Sequence, residues 1–60
     1  MNYKLLMVGD LVRLNVSRYP QYKDLAGILL QTVGEGYWEV LINGASHPYR
    51  IPDEDIEEII

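Results

Sequence analysis

Tyr37-Trp38-Glu39-Val40-Leu41-Ile42-Asn43-Gly44-Ala45 is the stretch from which the fold can be read. Trp38, Val40 and Ile42 alternate with Tyr37, Glu39 and Leu41, the period of two that gives a strand two distinct faces. Asn43-Gly44 follows, the dipeptide favoured in two-residue type I′ hairpin turns, where both positions take positive φ. Ala45 to Ile51 then supplies the returning strand. Pro48 has no N–H for a ladder, so that strand sits at an edge or bulges near the proline.

The same period recurs upstream. Val12, Leu14 and Val16 alternate with Arg13, Asn15 and Ser17, and Gly9-Asp10 reads as the turn that launches this strand. Ser17 to Asp24 has no periodicity and reads as a loop. Ala26 to Val33 is an apolar, β-branched run in which Gly27 marks a bulge or a close backbone approach. Gly34-Glu35-Gly36 breaks that run with a hairpin-sized connection. Downstream, Pro52-Asp53-Glu54-Asp55 predicts a single helical turn with proline at its first position and acids near its positive end. Ile56, Ile59 and Ile60 then supply a short closing strand or a frayed turn. Nothing carries a helical stripe of ten residues. The expectation is an all-β chain of about five short antiparallel strands forming a small barrel, with Val12, Leu14, Ile28, Leu30, Trp38, Val40 and Ile42 inside.

Length and composition bound the function. Sixty residues make one small domain, 1–60, too small to hold a cofactor pocket as well as a core. With no cysteine, disulfide frameworks and thiolate zinc sites are excluded, which suits a reducing interior such as the cytoplasm. Leu5 to Val8 is too short an apolar run for a signal peptide, and nothing approaches the roughly 20 residues of a membrane span. The hydrophobic share of 48%, with five tyrosines and one tryptophan, argues against disorder. The net charge of −4 is unevenly spread. Lys4, Arg13, Arg18 and Lys23 face a single acid in residues 1–23, whereas Arg50 stands alone against the acids of residues 24–60, including the segment 53–60. Nucleic-acid binders draw most of their affinity from phosphate neutralisation, so an acidic chain makes nucleic acid a less favoured partner.

Val8-Gly9-Asp10-Leu11-Val12-Arg13-Leu14 resembles the opening strand of small SH3-like barrels of the KOW and Tudor type. Ala26-Gly27-Ile28-Leu29, the segment around Asn43-Gly44, and the ending Ile51-Pro52-Asp53-Glu54-Asp55-Ile56-Glu57-Glu58-Ile59 continue the pattern, the last being similar to the proline-led turn before the final SH3 strand. The whole is similar in style to short proteins of tailed bacteriophages. The resemblance implies an SH3-like barrel. It also implies a small virion, assembly or accessory protein, located in the host cytoplasm or in the virion.

Catalytic chemistry has little to stand on. His47 is the only histidine, and on a strand its neighbour Ser46 points to the opposite face, which rules out a nucleophile–base pair. Asp53-Glu54-Asp55 offers oxygen ligands without the spacing of a calcium loop, and Gly34-Glu35-Gly36 lacks the lysine and helix of a phosphate loop. No enzyme activity, metal or cofactor is expected.

Binding has more material. Arg18-Tyr19-Pro20-Gln21-Tyr22 presents two aromatics and a proline, with Tyr37, Trp38 and Tyr49 elsewhere. Arg13, Arg18, Tyr19, Tyr22, Lys23, Trp38 and Tyr49 are the expected contacts to a protein partner. Tyr3, Leu5, Leu6 and Met7, within an apolar arm of residues 1–7, are expected to pack on the barrel or on a second copy, because monomers avoid large exposed apolar segments. The alternatives are a KOW-like nucleic-acid-associated domain using the basic loop Arg18–Lys23, and an inhibitor of a host enzyme whose acidic tail imitates nucleic acid.

Overall fold

The computed structural model describes residues 5–60, and it is all-β. Strands β1 (Leu11–Leu14), β2 (Gly27–Thr32), β3 (Tyr37–Ile42), β4 (Tyr49–Pro52) and β5 (Ile56–Ile59) form one antiparallel sheet in the order β4-β3-β2-β1-β5. Two lone 3-10 turns, Pro20–Tyr22 and Asp53–Asp55, are the only helical elements among the described residues.

The sheet must curl. Five flat strands about 4.8 Å apart would hold β4 and β5 roughly 19 Å from each other. A three-residue 3-10 turn joins them, and at about 2 Å per residue it reaches roughly 8 Å. No ladder joins these two edges; the turn bridges them. Its anchors are backbone bonds from Asp53 N–H to Gly36 O (2.8 Å) and from Asn15 N–H to Asp55 O (2.8 Å). The inner face of this curl is one apolar cluster fed by every strand: Val12 and Leu14, Leu29, Trp38, Val40 and Ile42, Ile51, and Ile56.

Several sequence expectations change. Ile28 and Leu30 are not the core residues of β2; Leu29 is, fully buried, while Leu30 is exposed. Gly27 sets this phase. It pairs with Ile42 and Leu29 pairs with Val40, so both face inward, and a Cβ on Gly27 would sit 2.6 Å from Val40 Cγ1. The glycine therefore marks a close approach. The irregularity of β2 lies further on, between Leu29 and Gln31.

Strand β1 stops at Leu14, and Val16 is exposed. Asn15 diverts the chain: its side chain accepts the Ser17 N–H (2.9 Å) and its carbonyl accepts the N–H groups of Arg18 and Tyr19. Such local bonding by asparagine competes with a ladder. The Asn43-Gly44 hairpin is also different. A turn closes there from Ala45 N–H to Ile42 O (2.9 Å), but only Gly44 has positive φ (90°), so the geometry is not type I′. Asn43 N–H bonds to Ala26 O instead, and β4 begins only at Tyr49, leaving residues 43–48 as a connection that contains Pro48. The edge position of β4 agrees with that proline. Pro52 ends β4 and caps the following turn rather than opening it.

The arm divides. Leu6 packs against the core, Leu5 and Met7 are exposed, and Tyr3 lies outside the described residues.

Candidate functional site: an aromatic strip over the open side of the sheet

The loop between β1 and β2 is a succession of turns, and these arrange its aromatics. Pro20 presets the φ of the 3-10 turn, at whose ends stand Tyr19 and Tyr22. At three residues per turn, positions i and i+3 lie above one another. The two rings accordingly stack, with centroids 6.1 Å apart and planes 24° from parallel. Asp24 leaves the turn with φ 67°, a left-handed conformation that aspartate tolerates better than most residues.

Register brings the third ring. Tyr49 pairs with Val40, whose side chain is fully buried, so Tyr49 projects from edge strand β4 on the inner side of the sheet. There it meets Tyr22 at 5.9 Å, and the His47 ring lies 5.1 Å from Tyr49. Tyr19 and Tyr22 also rest on the core, which they help to cover. The result is a continuous row, Tyr19–Tyr22–Tyr49–His47, drawn from two segments nearly thirty residues apart.

Asp55 underlies one end of the row. It is the one buried charged side chain among the described residues, at 2% exposure. It accepts a hydrogen bond from the Tyr19 hydroxyl (3.1 Å), and Arg18 Nη1 lies 3.9 Å from the same carboxylate oxygen. The Arg18 side chain is 61% exposed, so solvent screens this ion pair and it adds little stability. Its consequence is positional, keeping a cation beside the strip. Desolvation raises the pKa of Tyr19 above 10.0, and the bond to the Asp55 carboxylate raises it further. Tyr22 is raised by desolvation first and then by its interaction with Tyr49. Both rings are neutral donors at physiological pH.

The expected contact residues thus separate. Arg18, Tyr19, Tyr22 and Tyr49 come together, and exposed Lys23 follows directly on the 3-10 turn. Trp38 does not join them; it is part of the core. Arg13 stands on the outer face of β1, across from Glu58 of β5. His47 and Asp55 were missed. Asp55 looks like its acidic neighbours in sequence, and nothing in the pattern distinguishes it. The expected separation of Ser46 from His47 is also overturned, since Ser46 Oγ lies 3.2 Å from His47 Nδ1. Residues 46 and 47 are in a bend, not a strand, and the alternation of faces does not apply. Both are exposed, and among the described residues no carboxylate bonds the imidazole to orient it as a base.

Among the described residues no group of three potential metal ligands occurs, and no helix is long and apolar enough to cross a membrane. No family model, curated protein or solved structure matches the chain.

Proposed function

We propose that this chain is a non-enzymatic docking module that binds a protein surface through the strip Tyr19–Tyr22–Tyr49–His47 and the adjoining Arg18. One observation carries the reading: rings from two distant segments form an unbroken surface row with spacings of 5.1–6.1 Å. Tyrosines give a large, stiff contact area at small entropic cost, and together with arginine they dominate the energetics of protein interfaces. The setting is an accessory or assembly component of a larger protein complex, which is what the likeness to short phage proteins suggests.

The test compares wild type with the double variant Tyr22→Ala/Tyr49→Ala as immobilised bait in extracts of the native source. Quantitative mass spectrometry should show partner proteins retained by wild type and lost from the variant, with circular dichroism showing that both are folded. In parallel, binding of single-stranded DNA and RNA is titrated with salt. Docking on protein predicts no measurable affinity, whereas a steep fall of affinity with salt marks phosphate neutralisation and replaces this reading with nucleic-acid binding.

A further inference from the structure

The outer face of the sheet carries a second apolar surface that the strip does not use. Leu11 pairs with Ile28, and Ile28 pairs with Leu41. Their neighbours along each strand (Val12, Gly27 and Ile42) point inward, so these three form a ridge across β1, β2 and β3 on the outside. Leu11 is 48% exposed. A shallow groove of about 320 Å³ runs along the ridge, lined by Leu11, Ala26, Ile28, Leu41, Gly44 and Ala45. The turn Met7–Asp10, tied by Gly9 N–H to Leu29 O (2.8 Å), brings exposed Met7 and Val8 alongside the middle of β2, where Leu30 is exposed.

Charge placement identifies the occupant. Arg13 lies one pleat from Leu11 on β1, and Glu39 lies one pleat from Leu41 on β3, in the opposite direction across the sheet. With pleat repeats near 6.7 Å and strands 4.8 Å apart, each is about 8 Å from Ile28, at opposite ends of one diagonal. A two-fold axis lying in the interface and passing over Ile28 exchanges these two positions. The face is therefore complementary to itself. Neither charge makes an ion pair within 4 Å in the chain, where that between Arg18 and Asp55 is the only one among the described residues. Arg13 faces Glu58 across β5, and Glu39 faces Arg50 across β4 while accepting a hydrogen bond from Gln31 (3.1 Å).

We propose that this face is a homodimer interface, two copies packed ridge to ridge with Arg13 of one protomer over Glu39 of its partner. A stable specific interface needs about 800 Å² per partner, under a fifth of the 4311 Å² surface of the chain. The two strips, on the inner side of each sheet, then face away from one another, giving a bivalent particle whose two weak contacts reinforce each other on a repetitive target. This goes beyond the docking role and does not depend on it.

Sedimentation equilibrium from micromolar to millimolar concentration should show a monomer–dimer equilibrium. Leu11→Thr, a good strand former at a half-exposed site, should weaken dimerisation about tenfold, equivalent to about 1.4 kcal/mol. Arg13→Glu and Glu39→Arg should each weaken it similarly, and the double swap should restore it to within about threefold of wild type. Tyr22→Ala should leave it unchanged. A wild-type chain that remains monomeric at every concentration overturns the proposal. So does a dimer indifferent to Leu11→Thr, or one that the double swap fails to rescue while circular dichroism shows it folded.

Discussion

Gly27→Ala tests the packing logic of the sheet most directly, because a single methyl is added at a fixed place. The new Cβ would lie 2.6 Å from Val40 Cγ1 and 3.0 Å from Ile42 Cδ1, against an optimum of about 3.5–4.0 Å between carbons. The Ile42 contact is with the flexible end of a side chain and is easily relieved. The Val40 contact is not, since a β-branched residue is stiff at χ1 and leaving its rotamer costs about 0.5–1.5 kcal/mol. Overpacking of this kind costs about 1–3 kcal/mol, and removing a glycine from the unfolded chain returns about 0.4–1. Gly27 has no positive φ, so alanine meets no backbone strain. The net expectation is a loss of about 1–2 kcal/mol, which for a domain of this size lowers Tm by roughly 5–15 °C. Thermal and urea denaturation of wild type, Gly27→Ala, Val40→Ala and the double variant measure it. The double variant should be less destabilised than the sum of the singles by about 1 kcal/mol or more, because trimming Val40 removes the obstacle. A Gly27→Ala protein as stable as wild type, or strictly additive losses, would refute the inward phase of Gly27 and Leu29.

Three further outcomes follow from the same geometry. Asp55→Ala should cost about 1.5–3 kcal/mol in urea denaturation by orphaning the Tyr19 hydroxyl, Asp55→Asn about 1 because it keeps an acceptor, and Arg18→Ala less than about 1 because its ion pair is screened. Alkaline titration should show the raised pKa values of Tyr19 and Tyr22: their contribution is fully present below pH 10.0 and is lost as pH rises through the folded pKa values, so melting temperatures should fall there, and less steeply for Tyr19→Phe. Gly44→Val should destabilise by about 1–3 kcal/mol, since φ 90° is forbidding to a β-branched residue even in open space, whereas Asn43→Ala should change Tm little, in contrast to what a type I′ turn requires.

Elements whose information is local follow directly from the amino-acid pattern. Alternation of Trp38, Val40 and Ile42 against Tyr37, Glu39 and Leu41 specifies β3 because a strand has only two faces, and β3 runs from Tyr37 to Ile42 as that pattern requires. The breaks at Gly34–Gly36 and the single turn before β5 are likewise encoded where they occur, by glycine and proline geometry. Long-range packing selects among the options that local pattern leaves degenerate. In Gly27-Ile28-Leu29-Leu30 three consecutive apolar residues fit either face, and only the proximity of Val40 and Ile42, which leaves no room for a Cβ at position 27, chooses Leu29 for the core. The aromatic strip is non-local in the same way. Tyr19 and Tyr22 are joined by the period of one short turn, but Tyr49 reaches them only because the sheet curls and register with Val40 turns it inward. Asp55 is the sharpest case: among adjacent acids, burial falls on the one that the closing turn places beneath Tyr19, and burial depends on neighbours that a one-dimensional pattern does not contain.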